Sequence, residues 1–196
     1  MAYGKRETEG VATLADIEAL PEGVVGEIID GTLYVHAQPR PGHMDILGGL
    51  HAVLWSQFQQ GRSGPGGWWI QVEPGIELED SPEFIPDIAG WRKERIARLP
   101  ATSWRLAPDW ACEILSPSTR GYDQRIKRPF YARIGIRHLW FIDLESRTLT
   151  VSELREGRWT ELGVYGDDDV VRAAPFEEVE LRLGELWPLV EPSDAR

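Results

Sequence analysis

Two stretches of this chain, Trp110-Ala111-Cys112-Glu113-Ile114-Leu115 and His138-Leu139-Trp140-Phe141-Ile142-Asp143, are apolar at nearly every position rather than at alternate ones. A strand that meets solvent on one face alternates, whereas a strand apolar throughout is covered on both faces. These segments therefore predict buried strands of a sheet, with helices as the covering layers. Between them, Tyr122 to Ile134 reads as a helix that Gly135 closes, with Pro129 either in its first turn or at a kink. Their order along the chain gives an α/β (α+β) class with a mixed sheet.

The remaining punctuation is consistent with that class. Thr13 to Leu20 is a short helix, with Thr13 as N-cap and Pro21 as its stop. Asp30-Gly31 separates two apolar runs, Val24 to Ile29 and Thr32 to Val35, and so predicts a β-hairpin. Ile46, Leu47, Leu50, Val53, Leu54 and Phe58 recur at three- and four-residue spacing, which predicts an amphipathic helix from His43 to Gln60. Trp68 to Val72, Gly75 to Leu78 and Phe84 to Trp91 then predict an antiparallel meander. A last hairpin is expected from Thr148 to Leu154 and Trp159 to Val164 around Glu156-Gly157. Residues 1–12 read as a flexible N-terminal segment, and 13–190 as a single domain, in line with the 196-residue length.

Composition narrows the setting. One cysteine, Cys112, allows neither an internal disulfide nor a cysteine-based zinc cluster, and it suits a reducing, cytoplasmic location. No apolar run reaches the roughly 20 residues that span a bilayer, so no membrane partner is expected. Lys and Arg number 21 against 32 Asp and Glu, a formal net charge of −11. Such a balance repels a polyanion unless the basic residues gather on one face. The nine tryptophans are assigned to core and interface packing.

Three charged residues stand where local structure would ordinarily be apolar. Asp87 follows Pro86 inside an apolar run, Glu113 interrupts a buried strand, and Lys127 lies on the helix after that strand. An unpaired buried carboxylate costs several kcal/mol, so such groups persist when paired, hydrogen-bonded or bound to metal. Two carboxylates at the ends of neighbouring strands can share a hard cation such as Mg2+, with Mn2+ able to take its place. That cation lowers the pKa of bound water and neutralises charge at a phosphodiester under attack, while a lysine positions the water. A plain Glu113–Lys127 ion pair with Asp87 capping a turn is the alternative the spacing leaves open.

Further residues carry the chemistry less directly. Glu27 is either a third acid near the metal or a charge on the exposed face of the hairpin, and Glu73 stands similarly. His43, at a helix start, could contact phosphate or water. Asp123 precedes Lys127 by four residues and is expected to pair with it across one helical turn. Gln124 and Arg125 could face nucleic acid. Ser116 and Ser118 look like strand-end and turn residues.

The segments Glu27-Ile28-Ile29-Asp30-Gly31-Thr32-Leu33, His43, Pro86-Asp87-Ile88, Glu113-Ile114-Leu115-Ser116-Pro117-Ser118-Thr119, Asp123 to Lys127, Tyr131, Gly135-Ile136 and Leu139-Trp140-Phe141-Ile142-Asp143 together resemble the Uma-type endonuclease family. That family lies within the PD-(D/E)xK nuclease superfamily, and the resemblance runs from about residue 14 to about 165. It implies a restriction endonuclease-like core, a mainly antiparallel mixed sheet flanked by helices, with Asp87 and Glu113 as metal ligands. Leu115 stands where the superfamily's motif lysine usually follows the acid. The resemblance places that lysine on the following helix, as Lys127. It further implies a Mg2+-dependent endonuclease acting on DNA, working as a homodimer. Two other readings fit the acidity: a catalytically silent nuclease-fold binding module, and a hydrolase of small phosphoesters. For DNA as substrate, Arg92, Lys93, Arg95, Arg125, Arg128 and Arg133 should cluster around the cleft, whereas their scatter favours the hydrolase of small phosphoesters.

Overall fold

The computed structural model describes residues 3–6, 8, 10–79 and 81–188; residues 189 and 190 of the expected domain lie outside them. Its strands form a five-stranded sheet and a six-stranded sheet, with a small two-stranded one near the end of the described chain. The five-stranded sheet has the order β1 (Gly4–Arg6), β3 (Thr32–Ala37), β2 (Val24–Ile29), β6 (Ser81–Phe84), β5 (Ile76–Leu78). The six-stranded sheet runs β11 (Arg158–Gly166), β10 (Thr148–Arg155), β9 (His138–Asp143), β8 (Trp110–Leu115), β7 (Ile88–Arg92), β4 (Trp68–Val72). β12 (Val170–Val171) and β13 (Leu181–Arg182) make the third.

The doubly apolar strands occupy the middle of the larger sheet, as their composition requires. Every residue of β8 and β9 is buried, and the two pair in parallel, whereas the other strand pairs of these sheets are antiparallel. The parallel step needs a crossover. It is supplied by α3 (Arg120–Tyr122), a π-helical turn (Asp123–Lys127) and α4 (Arg128–Arg133), which run on without a break. Pro129 directly follows the π-helical turn, whose widened ladder accommodates the missing N–H within the continuous helix.

Alternation along β8 divides the core. Trp110, Cys112 and Ile114 face a cluster that includes Ile46, Leu50 and Leu54 of α2 (Pro41–Leu54). Ala111 and Leu115 face the other cluster, with Phe130 and Tyr131 of α4 and with Ile29 and Phe84 of the smaller sheet. α2 ends earlier than the apolar spacing predicts, because Trp55–Gln59 continues it as a π-helical turn. Thr13 and Asp16 close α1 (Leu14–Glu18) with a capping box, the Thr13 N–H donating to Asp16 Oδ2 over 2.8 Å.

The N-terminal hairpin forms as expected and pairs with β6 through Ile28 and Glu83, since a hairpin's pattern fixes its own register but not its neighbours. Two expectations are corrected. Gly4–Arg6, expected to be loose, forms an edge strand against β3. Phe84 to Trp91 is not one strand. β6 stops at Phe84, Ile85-Pro86-Asp87 crosses between sheets, and β7 starts at Ile88. Pro86 cannot donate to a ladder, and the Ile85 N–H is taken by Glu27 Oε1 at 2.7 Å. This crossover brings the hairpin to the end of the larger sheet where the acids stand.

Candidate active site

Register accounts for the juxtaposition of the first two acids. Ile88 lies opposite Cys112 in the β7–β8 ladder, so the next position outward sets Asp87 opposite Glu113. Both belong to the face shared by Ala89 and Ala111. Asp87 and Glu113 line one cleft of about 660 Å³ together with Lys127, Asp123 and His43. The opposite-face arrangement that would have separated the two carboxylates does not occur.

Lys127 is the hub. Its Nζ donates to the Ile85 carbonyl at 2.8 Å and to Glu113 Oε2 at 3.2 Å, and it lies 3.2 Å from Glu27 Oε1. All three side chains are buried, so the lysine offsets two carboxylates in a medium that screens little. Glu27 is thus buried beside Lys127, outside the cleft lining, and not a charge on the exposed face of the hairpin. Burial opposes its ionisation, but Lys127 and then His36 outweigh this and hold its pKa at about 2. His36 Nε2 lies 3.7 Å from Glu27 Oε2. The same two acids, with Asp123 and Asp87, raise the Lys127 pKa against its burial.

Glu113 is pushed the other way. Burial raises its pKa well above the carboxylate range; Lys127 opposes the rise, while Asp87, Asp123 and Glu27 add to it. Its Oε1 accepts a short hydrogen bond from the buried Tyr131 hydroxyl. Both oxygens are therefore fixed by the crossover helix. Tyr131→Phe leaves one of them without a donor, and the expected cost is about 1–3 kcal/mol, read as a lower urea midpoint at unchanged slope.

Asp87 is held from two sides. The Ile114 N–H donates to its Oδ2 at 2.6 Å, and His43 Nε2 lies 3.1 Å from the same oxygen. Burial works against a charge on His43, but the hydrogen bond and charge of Asp87, with Asp123 and Glu73, raise its pKa overall. The Asp87 side chain keeps 17% of its surface exposed, against 1% for Glu113. Asp87 thus meets the cleft, and Glu113 forms its floor.

Other expectations fare unevenly. Asp123 is buried, but Lys127 pairs with Glu27 and Glu113 instead of with it, because the π-helical turn alters the four-residue geometry. Glu73 lies just beyond β4, its N–H donating to the Asp87 carbonyl at 2.9 Å, and it is outside the cleft lining. Gln124 and Arg125 are exposed and also outside that lining. Ser116 and Ser118 form a hydroxyl cluster with Thr119 in the turn after β8. His36 and Tyr122, which also line the cleft, were not anticipated; His36 sits in an ordinary strand pattern that carries no signal.

The expected basic cluster does not form. Arg92 stacks over Trp68, Lys93 donates to the Gln59 carbonyl, and Arg95 pairs with Asp109, all beyond the far end of β7 from Asp87. Arg128 and Arg133 line a separate pocket with Trp159. Charge in the cleft is instead mixed: Asp87, Glu113, Asp123 and Glu145 against Arg40, Lys127 and Arg147.

Burial raises the Asp123 pKa to about 7, against opposition from Lys127. The folded state then binds a proton that the unfolded state has released, so this residue's contribution to stability falls as pH rises from about 4 to 7. His138, held near 4 by burial, works in the opposite sense across part of that window. The difference between variant and native isolates the first effect: Asp123→Asn is expected to gain stability relative to native as pH rises through this range. Thermal unfolding at pH 4, 5, 6 and 7 checks it.

Among the described residues no three His, Cys, Asp or Glu side chains are grouped to enclose a metal. The donor set nevertheless fits a cation that keeps most of its water. Asp87 and Glu113 supply hard oxygen ligands at facing positions, and magnesium is commonly held by one or two carboxylates plus substrate phosphate.

The comparisons bear on the family and the fold. A family model described as "Uma2: Putative restriction endonuclease" matches residues 14–184. Among solved structures, the chain is similar to "a putative nuclease belonging to DUF820" from Anabaena variabilis ATCC 29413, at 25% identity and a TM-score of 0.68, over 90% of this chain and 97% of that one. A search of curated proteins found no match. With the family match spanning most of its length and the restriction endonuclease-like fold shared, the chain belongs to the Uma2 family.

Proposed function

We propose that this protein is a divalent-metal-dependent endonuclease that hydrolyses phosphodiester bonds of DNA, with Asp87 and Glu113 as metal ligands. The observation that carries the reading is the meeting of Asp87, Glu113 and Lys127 in one cleft, from three different elements, with the lysine locked between two buried acids. The scattered arginines favour a small phosphoester over DNA, and the endonuclease description of the family favours a nucleic acid.

Asp87 and Glu113 would hold the cation, Mg2+ or Mn2+, which when bound supplies Lewis acidity and a lowered pKa for water. The residues do the rest. The Ile114 N–H fixes the Asp87 carboxylate, and Tyr131 fixes that of Glu113, so neither has to reorganise when substrate arrives. Lys127 keeps its proton because two acids share it; its role is to hold a positive charge beside the reacting phosphate, not to act as a base. His43, paired with Asp87, lines the cleft where a phosphate oxygen or a water would sit. Because one chain carries the whole set, no second copy is needed for the chemistry.

The test is nicking of supercoiled plasmid at low salt with Mg2+ or Mn2+. Conversion to open circles that stops on chelation of the metal is expected. Absence of cutting of the plasmid and of a single-stranded circle alike, with either metal, would remove the reading and favour the silent binding module.

A further inference from the structure

The shape and charge of the cleft restrict what can enter it. Resting on the nuclease reading above, we infer that the substrate is an unpaired DNA strand, with a nucleotide unstacked into the cleft, and not continuous duplex.

Three observations lead there. The cleft holds about 660 Å³, within the roughly 300–1,000 Å³ typical of pockets that enclose a small ligand. Its acids are recessed, since Glu113 is 1% exposed and Asp87 17%. A scissile phosphate must therefore descend between the loop before α2 and the turns after β8 and β9, all of which contribute lining residues. A single strand bends to do this, whereas a duplex is stiff over about 150 base pairs.

Charge points the same way. A duplex-binding surface neutralises phosphates along its track, often about six to ten of them. Here the cleft offers Arg40 and Arg147 as exposed cations, while Lys127 is committed to Glu27 and Glu113. The arginines of β7 and α4 lie elsewhere. Two guanidinium groups on separate walls suit the phosphates flanking one nucleotide, and they leave a paired strand without partners.

Part of the lining between the polar groups is apolar: Pro39, Pro41, Pro117, Leu144 and Pro188. Such surfaces are poor contacts for a sugar–phosphate track and good ones for the exposed face of an unstacked base.

The experiment compares short labelled DNAs of one sequence with Mn2+: a single strand, a full duplex, and a duplex carrying a central unpaired bubble. Bis(p-nitrophenyl) phosphate serves as a strand-free control. Expected is cleavage of the single strand, and cleavage confined to the bubble, about tenfold or more faster than of the duplex, a difference equivalent to 1.4 kcal/mol. Arg147→Glu should raise KM for the single strand more than it lowers kcat. Duplex cut as fast as single strand would overturn the inference and leave the nuclease reading intact. Hydrolysis of the small diester with every DNA uncut would overturn it in favour of a small-phosphoester hydrolase. No hydrolysis of any substrate would remove the nuclease reading, and the inference with it.

Discussion

Lys127→Met is expected to cost about 3–5 kcal/mol, the scale of stranding buried charge when its partner is removed. Methionine fills nearly the same volume, so the loss isolates the charge. Glu27 and Glu113 would face each other from within the core, and the Ile85 carbonyl would lose its donor. At roughly 2–4 °C per kcal/mol for a chain of this size, the unfolding midpoint should drop by about 10 °C. Should the variant fail to fold, Lys127→Met combined with Glu27→Gln removes the carboxylate that Lys127 holds ionised and is expected to recover part of the loss. A native midpoint in the single variant would show that the lysine offsets nothing. The pH dependence has a definite sign as well. Glu27, held near 2, stabilises the fold above its ordinary value of 4.5, and that contribution is lost as pH falls from there toward 2.

Asp87→Asn is expected to lower metal-dependent DNA cleavage by about a thousandfold or more, the scale of removing a group that acts directly on transition-state charge. The fold should survive. Asparagine retains an oxygen for the Ile114 N–H, and the side chain is partly exposed, so the stability change should stay near 1 kcal/mol. A stable variant with native activity would show that the reaction does not use this carboxylate.

Asp87 and Glu113 were legible because a charge inside an apolar strand has to be accounted for, and strand register then set them side by side. Lys127 was singled out as a charge on the following helix, but its turn back toward the preceding strand was legible only through resemblance, since nothing in the spacing says it. Glu27 remained ambiguous for a physical reason. Hairpin alternation shows which residues share a face, but which face is buried depends on the Ile85-Pro86-Asp87 crossover, a contact about sixty residues away in sequence. The failed basic cluster was foreseeable. With Asp87 at one end of β7 and Arg92 at the other, a strand rising about 3.3 Å per residue separates them by roughly 16 Å. The division into two sheets was not legible, because the pairing of β2 with β6 leaves no mark in either segment alone.

On the proposed reading, Asp87 and Glu113 together hold a single divalent ion. This is tested most directly by calorimetric titration of Mn2+ into the protein, beside Asp87→Asn and Glu113→Gln, each first confirmed folded by circular dichroism. One ion per native chain, with binding lost or severely weakened in both variants, is the predicted result. Binding that is absent from the native protein, or that persists unchanged when both carboxylates are replaced, would contradict it.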